Sequence, residues 1–243
     1  MKLNSTEIRS FFYGTLLGDS YIHNNVFYCK QISKDLIDFK SKIIQQYIPD
    51  ADVKVIEYEA YTDKNGVRHQ KYWVLSAKGE YIKKLQRLFY PQGKKIIPKN
   101  VINKLTPLGL AMWYADDGTT ILVGKNNTTK SAKSRRVQIC TDCFTENEIE
   151  NAIKELDEIG IKASSLQRRE GVYRLQILEK ERQYFLCSIS DFFYNYFPSL
   201  LYKMDLGYRN ESLLNRRYVT EEYHKLYTKI SACPDFLDRM KNR

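Results

Sequence analysis

The chain has 243 residues, which suits one large domain or two small ones, and its 43% apolar content excludes wholesale disorder. No apolar run approaches the length of a membrane span, and Met1–Glu7 has neither a signal core nor an Arg-rich transit character. A soluble intracellular protein with no membrane partner is expected. Lys plus Arg number 39 and Asp plus Glu 29, a net of +10, which points toward a polyanionic partner.

The surplus is uneven. Residues 1–104 hold 18 basic and 10 acidic side chains, whereas residues 105–243 hold 21 and 19. The 19 tyrosines fit either a wet, adaptable binding surface or half-buried positions in sheets. Five cysteines form no obvious disulfide framework, so a reducing compartment is expected. Cys140-Thr-Asp-Cys143 has no second CxxC and no His pair beside it. It reads as two small apolar residues at a strand end rather than as a zinc site.

In chain order, residues 5–18 read as a helix that Ser5 and Thr6 can cap, with Ile8, Phe11, Phe12 and Leu16 at helical spacing. A turn at Asn24-Asn25 precedes a strand over Val26–Ser33. Leu36–Tyr47 is an amphipathic helix. Strands Val53–Tyr61 and Gln70–Ala77 flank the turn Asp63-Lys64-Asn65-Gly66. A helix over Tyr81–Tyr90 stops near Pro91. The order then restarts. Pro107–Ala115 is a helix with Pro107 in its first turn, and Val137–Thr141 is a strand. Thr145–Ile159 is a helix with a Thr145/Glu148 capping box, ended by Gly160. Strands Ile161–Arg168 and Val172–Leu178 meet at Glu170-Gly171, and a helix over Glu181–Tyr196 stops near Pro198. Helix–strand–helix–strand–strand–helix thus occurs twice, which implies two similar halves. The divisions are residues 1–104, residues 105–206 and a charged, mostly helical C-terminal extension over 207–243.

Each half opens with an apolar helix that finishes in a carboxylate. The first runs Phe12-Tyr-Gly-Thr-Leu-Leu-Gly-Asp19-Ser20 and the second Leu110-Ala-Met-Trp-Tyr-Ala-Asp116-Asp117-Gly118. An acid at a helix C-terminus faces the negative end of the macrodipole, so two of them at equivalent places call for a cationic partner. Gly14 with Gly18, and Ala111 with Ala115, space small residues so that two helix backbones can pack closely and bring these ends together. A hard divalent cation relieves the repulsion of paired carboxylates, and Mg²⁺ so held activates water against a phosphodiester. Phe89-Tyr-Pro91-Gln-Gly-Lys-Lys95 and Tyr196-Phe-Pro198-Ser-Leu-Leu-Tyr-Lys203 follow the last helix of each half, each with an aromatic, a proline and then a lysine. A lysine there stabilises charge or positions water, or is a plain surface lysine.

These helix ends resemble the paired motifs of LAGLIDADG homing endonucleases, in the single-chain, two-repeat form of the yeast mitochondrial omega-intron type. The similarity covers most of residues 8–205. Tyr28-Cys-Lys-Gln31, Lys95-Ile-Ile-Pro98, Leu105-Thr-Pro107, Trp113 before Asp116-Asp117-Gly118, and Leu201-Tyr-Lys203 carry it further; Tyr13 and Met112 depart from the small residues usual in the motif.

The resemblance implies an α+β (mixed α/β) fold. It has two pseudo-symmetric αββαββα repeats, each with a saddle-shaped antiparallel sheet, packed through the two motif helices. It implies Asp19 and Asp117 as metal-binding acids, with Gly18 and Asp116 in the position before them contributing main-chain carbonyls. Lys95 and Lys203 match the basic active-site residues. Gln31 matches a polar residue near the metals, with Asp142 in the equivalent place of the second half. Mg²⁺ is the implied cofactor, two or three ions shared between the acids, with Mn²⁺ able to substitute. Each sheet is expected to enter the major groove of double-stranded DNA. The candidate contacts are Lys30, Arg68, Gln70 and Lys71 in the first half. In the second they are Arg135, Arg136, Gln138, Gln167, Arg168, Arg174 and Gln176. The basic loop from Lys125 to Lys133 is expected on phosphates, and the acidic helix Glu146–Glu158 is expected to face solvent.

The implied activity is a monomeric, site-specific endonuclease. It makes metal-dependent double-strand breaks with short 3′ overhangs in a long asymmetric target, and so promotes intron or intein-type mobility. No protein-splicing segments are evident, so a free-standing or intron-encoded form is favoured. The alternative is an intron RNA maturase, alone or as a second activity. A non-cleaving regulator is disfavoured by the intact acids, and an HNH nuclease by the lack of its motif around His23, His69 and His224.

Overall fold

The computed structural model describes residues 1–123 and 134–204. The expected phosphate-contacting loop with Lys125 and Lys133, and the C-terminal extension over 207–243, lie outside the described residues. The chain forms two compact units that divide between Met112 and Trp113.

In the first unit, helix α1 (Ser5–Leu17) is capped by Asn4 rather than by Ser5 or Thr6. The Asn4 carboxamide accepts from Thr6 and Glu7 main-chain N–H, and the Glu7 carboxylate accepts the Asn4 N–H, a complete capping box. Strand β1 (Tyr21–His23) turns back through Asn24 and Asn25, both at positive φ, into β2 (Val26–Gln31). Helix α2 (Lys34–Tyr47), capped by Ser33, leads to β3 (Asp52–Tyr58). A separate ribbon of β4 (Tyr61–Thr62) and β5 (Arg68–His69) follows, closed by Asp63, whose carboxylate accepts from Asn65 and Val67 N–H. Strand β6 (Tyr72–Lys78) and helix α3 (Glu80–Phe89) complete the unit, and a 3₁₀ turn (Ile102–Lys104) leads into helix α4 (Pro107–Asp117).

The four main strands pair antiparallel in the order β1-β2-β6-β3. Helix α2 covers one face of this sheet. Phe27, Cys29, Leu75 and Ala77 on that face are buried with Leu36, Ile37, Ile43 and Ile44 of α2. Each such aliphatic side chain contributes roughly 1.5–3 kcal/mol by leaving water. Helix α1 meets the start of α4 backbone to backbone. A methyl on Gly14 would lie 1.9 Å from the Gly109 carbonyl oxygen, and one on Gly109 would lie 2.2 Å from Ser10 Oγ. Ser10 Oγ also accepts the Thr106 N–H at 2.7 Å. The close approach expected of small residues is thus made by Gly14 with Gly109. Tyr13, which departs from the motif, turns its ring onto Phe89.

The second unit repeats the plan. Strand β7 (Gly118–Val123) pairs with β8 (Ser134–Ile139), helix α5 (Glu146–Glu158) follows, then the hairpin β9 (Ala163–Arg169) and β10 (Val172–Ile177), helix α6 (Glu179–Asn195) and a 3₁₀ stretch (Pro198–Lys203). The sheet order is β7-β8-β10-β9, the order of the first sheet, so the observed unit is αββαββα. Strands β1 and β7 are additions to the pattern read in chain order. Each follows its acid within two residues. The Thr145/Glu148 capping box forms, and Gly160 stands at φ +79° just past α5. Helix α5 packs on β9 and β10 through Ile149, Ala152 and Leu156. Its acidic residues are mostly exposed, but Glu155 turns inward at 7% exposure.

Candidate active site and nucleic-acid interface

Asp19 is exposed just past α1, beyond Gly18, whose N–H closes the last helical bond to Gly14 O. The Gln31 amide, at the end of β2, donates to Asp19 Oδ2 at 3.2 Å. Lys95 reaches back from the segment after α3, and its ammonium donates to Gly18 O at 2.5 Å and Ser20 O at 3.0 Å. These are the carbonyls on either side of the acid. A helix C-terminus carries partial negative charge, so an ammonium seated there offsets both the dipole and the carboxylate.

The second unit builds a similar arrangement, with the lysine on two carbonyls that precede its acid. Asp117 ends α4, half-buried, and its main-chain oxygen accepts the Cys140 N–H at 2.9 Å. The Lys203 ammonium donates to Ala115 O at 2.6 Å and Asp116 O at 3.0 Å. Lys203 is itself anchored, because the Tyr114 and Thr120 hydroxyls both donate to its carbonyl at 2.8 Å. Neither hydroxyl was singled out from the sequence; their signal is register, which places Thr120 opposite Val137 on the helix-covered face. Gly18 and Asp116 thus present main-chain carbonyls beside the acids, and both accept a lysine ammonium.

The place equivalent to Gln31 differs from expectation. Ile139 faces Leu175 as Cys29 faces Leu75, so two residues further along, Thr141 answers to Gln31. Asp142 lies one residue beyond. It accepts two bonds from the Arg174 guanidinium, at 2.7 and 2.8 Å. That contact holds the Asp142 carboxyl below the usual carboxylate range and pushes Arg174 up. Thr141 is buried and donates to Tyr173 O at 2.8 Å, so the second acid has no amide at this place. Burial pushes the neighbouring Cys140 thiol up, and Cys29, Cys140, Cys143 and Cys187 are not joined in disulfides.

The donor set suits a hard cation. Among the described residues no three His, Cys, Asp or Glu side chains gather into a cage. Mg²⁺ is commonly held by only one or two carboxylates, completed by water and substrate phosphate, and an exposed oxygen-only site such as that of Asp19 fits this.

Strand pairing sorts the candidate DNA contacts by face. Opposed residues share a face, and Leu75, Ala77, Leu175 and Ile177 mark the faces covered by helices. Lys30 lies on the open face of the first sheet, its ammonium 4.0 Å above the Tyr72 ring. Arg68 and Gln70 are exposed near the outer ribbon. Lys71 is engaged by Glu57 at 2.6 Å and Glu59 at 3.0 Å, which push its pKa up. In the second sheet Arg136, Gln138, Arg174 and Gln176 share the open face. Arg136 is exposed, whereas Gln138 is buried and donates to Gln176 at 3.1 Å. Arg168 is exposed at the β9–β10 bulge. Gln167 pairs with Tyr173 and so lies on the other face from Gln176. Arg135 stands on β8 opposite Leu122.

Comparison with known proteins agrees with this architecture. The fold is shared with the homing endonuclease I-WcaI bound to its DNA recognition sequence, at a TM-score of 0.68 and 21% identity over 84% of this chain and 88% of that one. An uncharacterized protein of Methanocaldococcus jannaschii, MJ1098, is 25% identical over 191 residues, covering 76% of this chain and 69% of that protein. A 64-residue segment is 42% identical to Protein RecA of Mycobacterium leprae; it covers 26% of this chain but only 9% of that relative's length. The model of the LAGLIDADG DNA endonuclease family matches residues 9–185, and with its two acid-terminated helices and paired sheets the chain belongs to that family.

Proposed function

We propose that the chain is a site-specific endodeoxyribonuclease, in which Asp19 and Asp117 hold divalent cations against the target phosphodiesters. It acts as a monomer on a long asymmetric duplex, cuts both strands to leave short 3′ overhangs, and so promotes the mobility of its own coding element. The observation that carries this reading is the doubled constellation. In each unit an acid ends the motif helix, and one lysine ammonium sits on the main-chain oxygens beside it.

The residues divide the work. The Asp19 and Asp117 carboxylates supply hard oxygen donors. When bound, Mg²⁺, or Mn²⁺ in its place, supplies Lewis-acid activation of water and neutralises charge on the phosphate. Gln31 orients the Asp19 carboxylate by donating to Oδ2, leaving Oδ1 clear of that bond. Lys95 and Lys203 keep a positive charge fixed beside each acid, where negative charge grows on the phosphoryl oxygens in the transition state. Because main-chain oxygens hold the ammonium groups, their positions are set before substrate arrives. The open sheet faces supply groove contacts, and the net charge of +10 supplies attraction to phosphates.

Cleavage of a randomised duplex library, with Mg²⁺ or with a chelator, tests this. The unaltered chain is expected to give discrete double-strand cuts only with Mg²⁺. Asp19→Asn should abolish them, and Lys95→Met should slow them about 10²–10³-fold, the cost typical of losing one transition-state donor. Duplex affinity in chelator should change little in Lys95→Met. Cuts that persist in Asp19→Asn would refute the assignment.

A further inference from the structure

Register aligns the two sheets residue by residue. With Cys29/Leu75 matched to Ile139/Leu175, Tyr28 takes the place of Gln138, and Val74 that of Arg174, on the face turned away from the helices. Ile56, opposite Val74, answers to Leu166, opposite Arg174. The scaffold is the same, but the outward chemistry is not. The second face presents the guanidinium groups of Arg136 and Arg174 and the Gln176 amide, set among Ile121 and Leu166, with Gln138 buried beneath. The first presents Tyr28, Tyr58, Tyr72, Ile56 and Val74 beside Lys30, Lys54 and Ser76, and at its exposed end Ile56 and Tyr58 are 50% and 42% accessible.

The first face is also pre-arranged. Tyr58 and Tyr72 stack at 4.9 Å with planes 8° apart, and Tyr21 stacks on Tyr28 at 5.2 Å. Lys30 clamps Tyr72 from above at 4.0 Å. Rings that stack on each other have surrendered a face, so they suit the wall of a duplex groove better than the unstacked bases of single-stranded RNA, which need open ring faces. Attraction to the polyanion comes from this face as well as from the rest of the unit: Lys30, Lys54 and Lys78 share it by register, and residues 1–104 hold 18 basic against 10 acidic side chains. The apolar cluster of Ile56, Tyr58, Tyr72 and Val74 at the outer end of this face can discriminate bases by one feature of the major groove that is not a hydrogen bond, the thymine 5-methyl group.

We propose that the first repeat reads its half-site through thymine methyls, with Ile56, Tyr58, Tyr72 and Val74 as the specificity-determining residues, while the second repeat reads hydrogen-bonding edges. This rests on the DNA-endonuclease reading and assigns the two halves of its target different chemistries. One half-site is rich in thymine on the strands the first sheet touches. The other favours bases read by Arg136, Arg174 and Gln176.

The test uses the full chain in chelator. Duplexes that it retains are selected from a randomised library, and thymine is then replaced by deoxyuridine in one half-site at a time. Uracil pairs identically and lacks only the methyl. Loss of one buried methyl is worth about four-fold in affinity, so a half-site with several contacted thymines should weaken by 10-fold or more while the other changes less than two-fold. In Ile56→Ala/Val74→Ala the sensitivity to uracil should disappear, and Tyr58→Phe, which keeps the ring, should retain it. All three positions are on the open face, so these variants leave the buried core in place. Equal responses of the two half-sites, or unchanged sensitivity in the double variant, would overturn the proposal while leaving the nuclease reading intact. Failure to enrich any duplex, or preference for single-stranded RNA, would overturn both.

Discussion

Lys95 and Lys203 each seat an ammonium on main-chain carbonyls beside an acid, and that gives each acid its setting. The sequence holds enough to find both lysines, because aromatic, proline and lysine recur in order after the last helix of each half. It does not hold enough to place Asp142. Counting along the chain gives that residue the place equivalent to Gln31, whereas the ladder gives it to Thr141, because only register decides which residue of a strand end comes beside the acid of its own unit. Asp142 instead forms a two-bond ion pair with Arg174, and its carboxyl is held below the ordinary value of 3.8. A carboxyl whose folded pKa is depressed adds stability above its unfolded pKa, and the gain is lost as pH falls through the folded value. The Asp142→Asn variant should therefore melt below the unaltered chain by a constant margin above about pH 5, a margin that closes below about pH 4. Melting curves at pH 6, 5, 4 and 3 check this, and a margin that widens in acid would contradict it.

At the scale of elements, the meeting of α1 with α4 depends on an absent side chain. A Cβ at Gly14 would penetrate the Gly109 carbonyl, and main chain cannot rotate out of the way as a side chain can. Gly14→Ala is expected to cost about 2–3 kcal/mol or more and lower the melting temperature by several degrees. Gly66→Ala is the control for removing a glycine as such, since its methyl meets open space and only its φ of +78° is strained. Equal melting of the two variants would remove the close-packing account. Elements with caps and breakers are legible beforehand: α5 from its capping box and Gly160, and the β1–β2 turn from Asn24-Asn25. Strands β1 and β7 are not, because three to six residues directly after a helix carry too little period-two signal. The tyrosine faces are hidden for a related reason. Alternation shows that a strand has two faces, but only pairing shows which one a helix covers.

For the molecule as a whole, charge and pattern do different jobs. The net charge of +10 carries no sequence information, yet it sets how affinity responds to salt. If six or more phosphates are contacted, affinity for the selected duplex should fall about 10³-fold or more between 50 and 200 mM monovalent salt. A titration of binding against salt measures the slope, and a flat slope would place the basic surplus away from the nucleic acid. The repeated sheet order has another result. Because neighbouring residues of a strand point to opposite sides, every second letter packs under a helix and the letters between are those that the proposed reading turns toward nucleic acid. The two classes are separately mutable. Tyr28 and Gln138 occupy equivalent places on the two sheets, one a ring and the other an amide, while the positions beside them, Phe27 and Val137, are both buried and apolar. A protein built this way can acquire a new target by changes on one side of a sheet, one half at a time, without renegotiating its core.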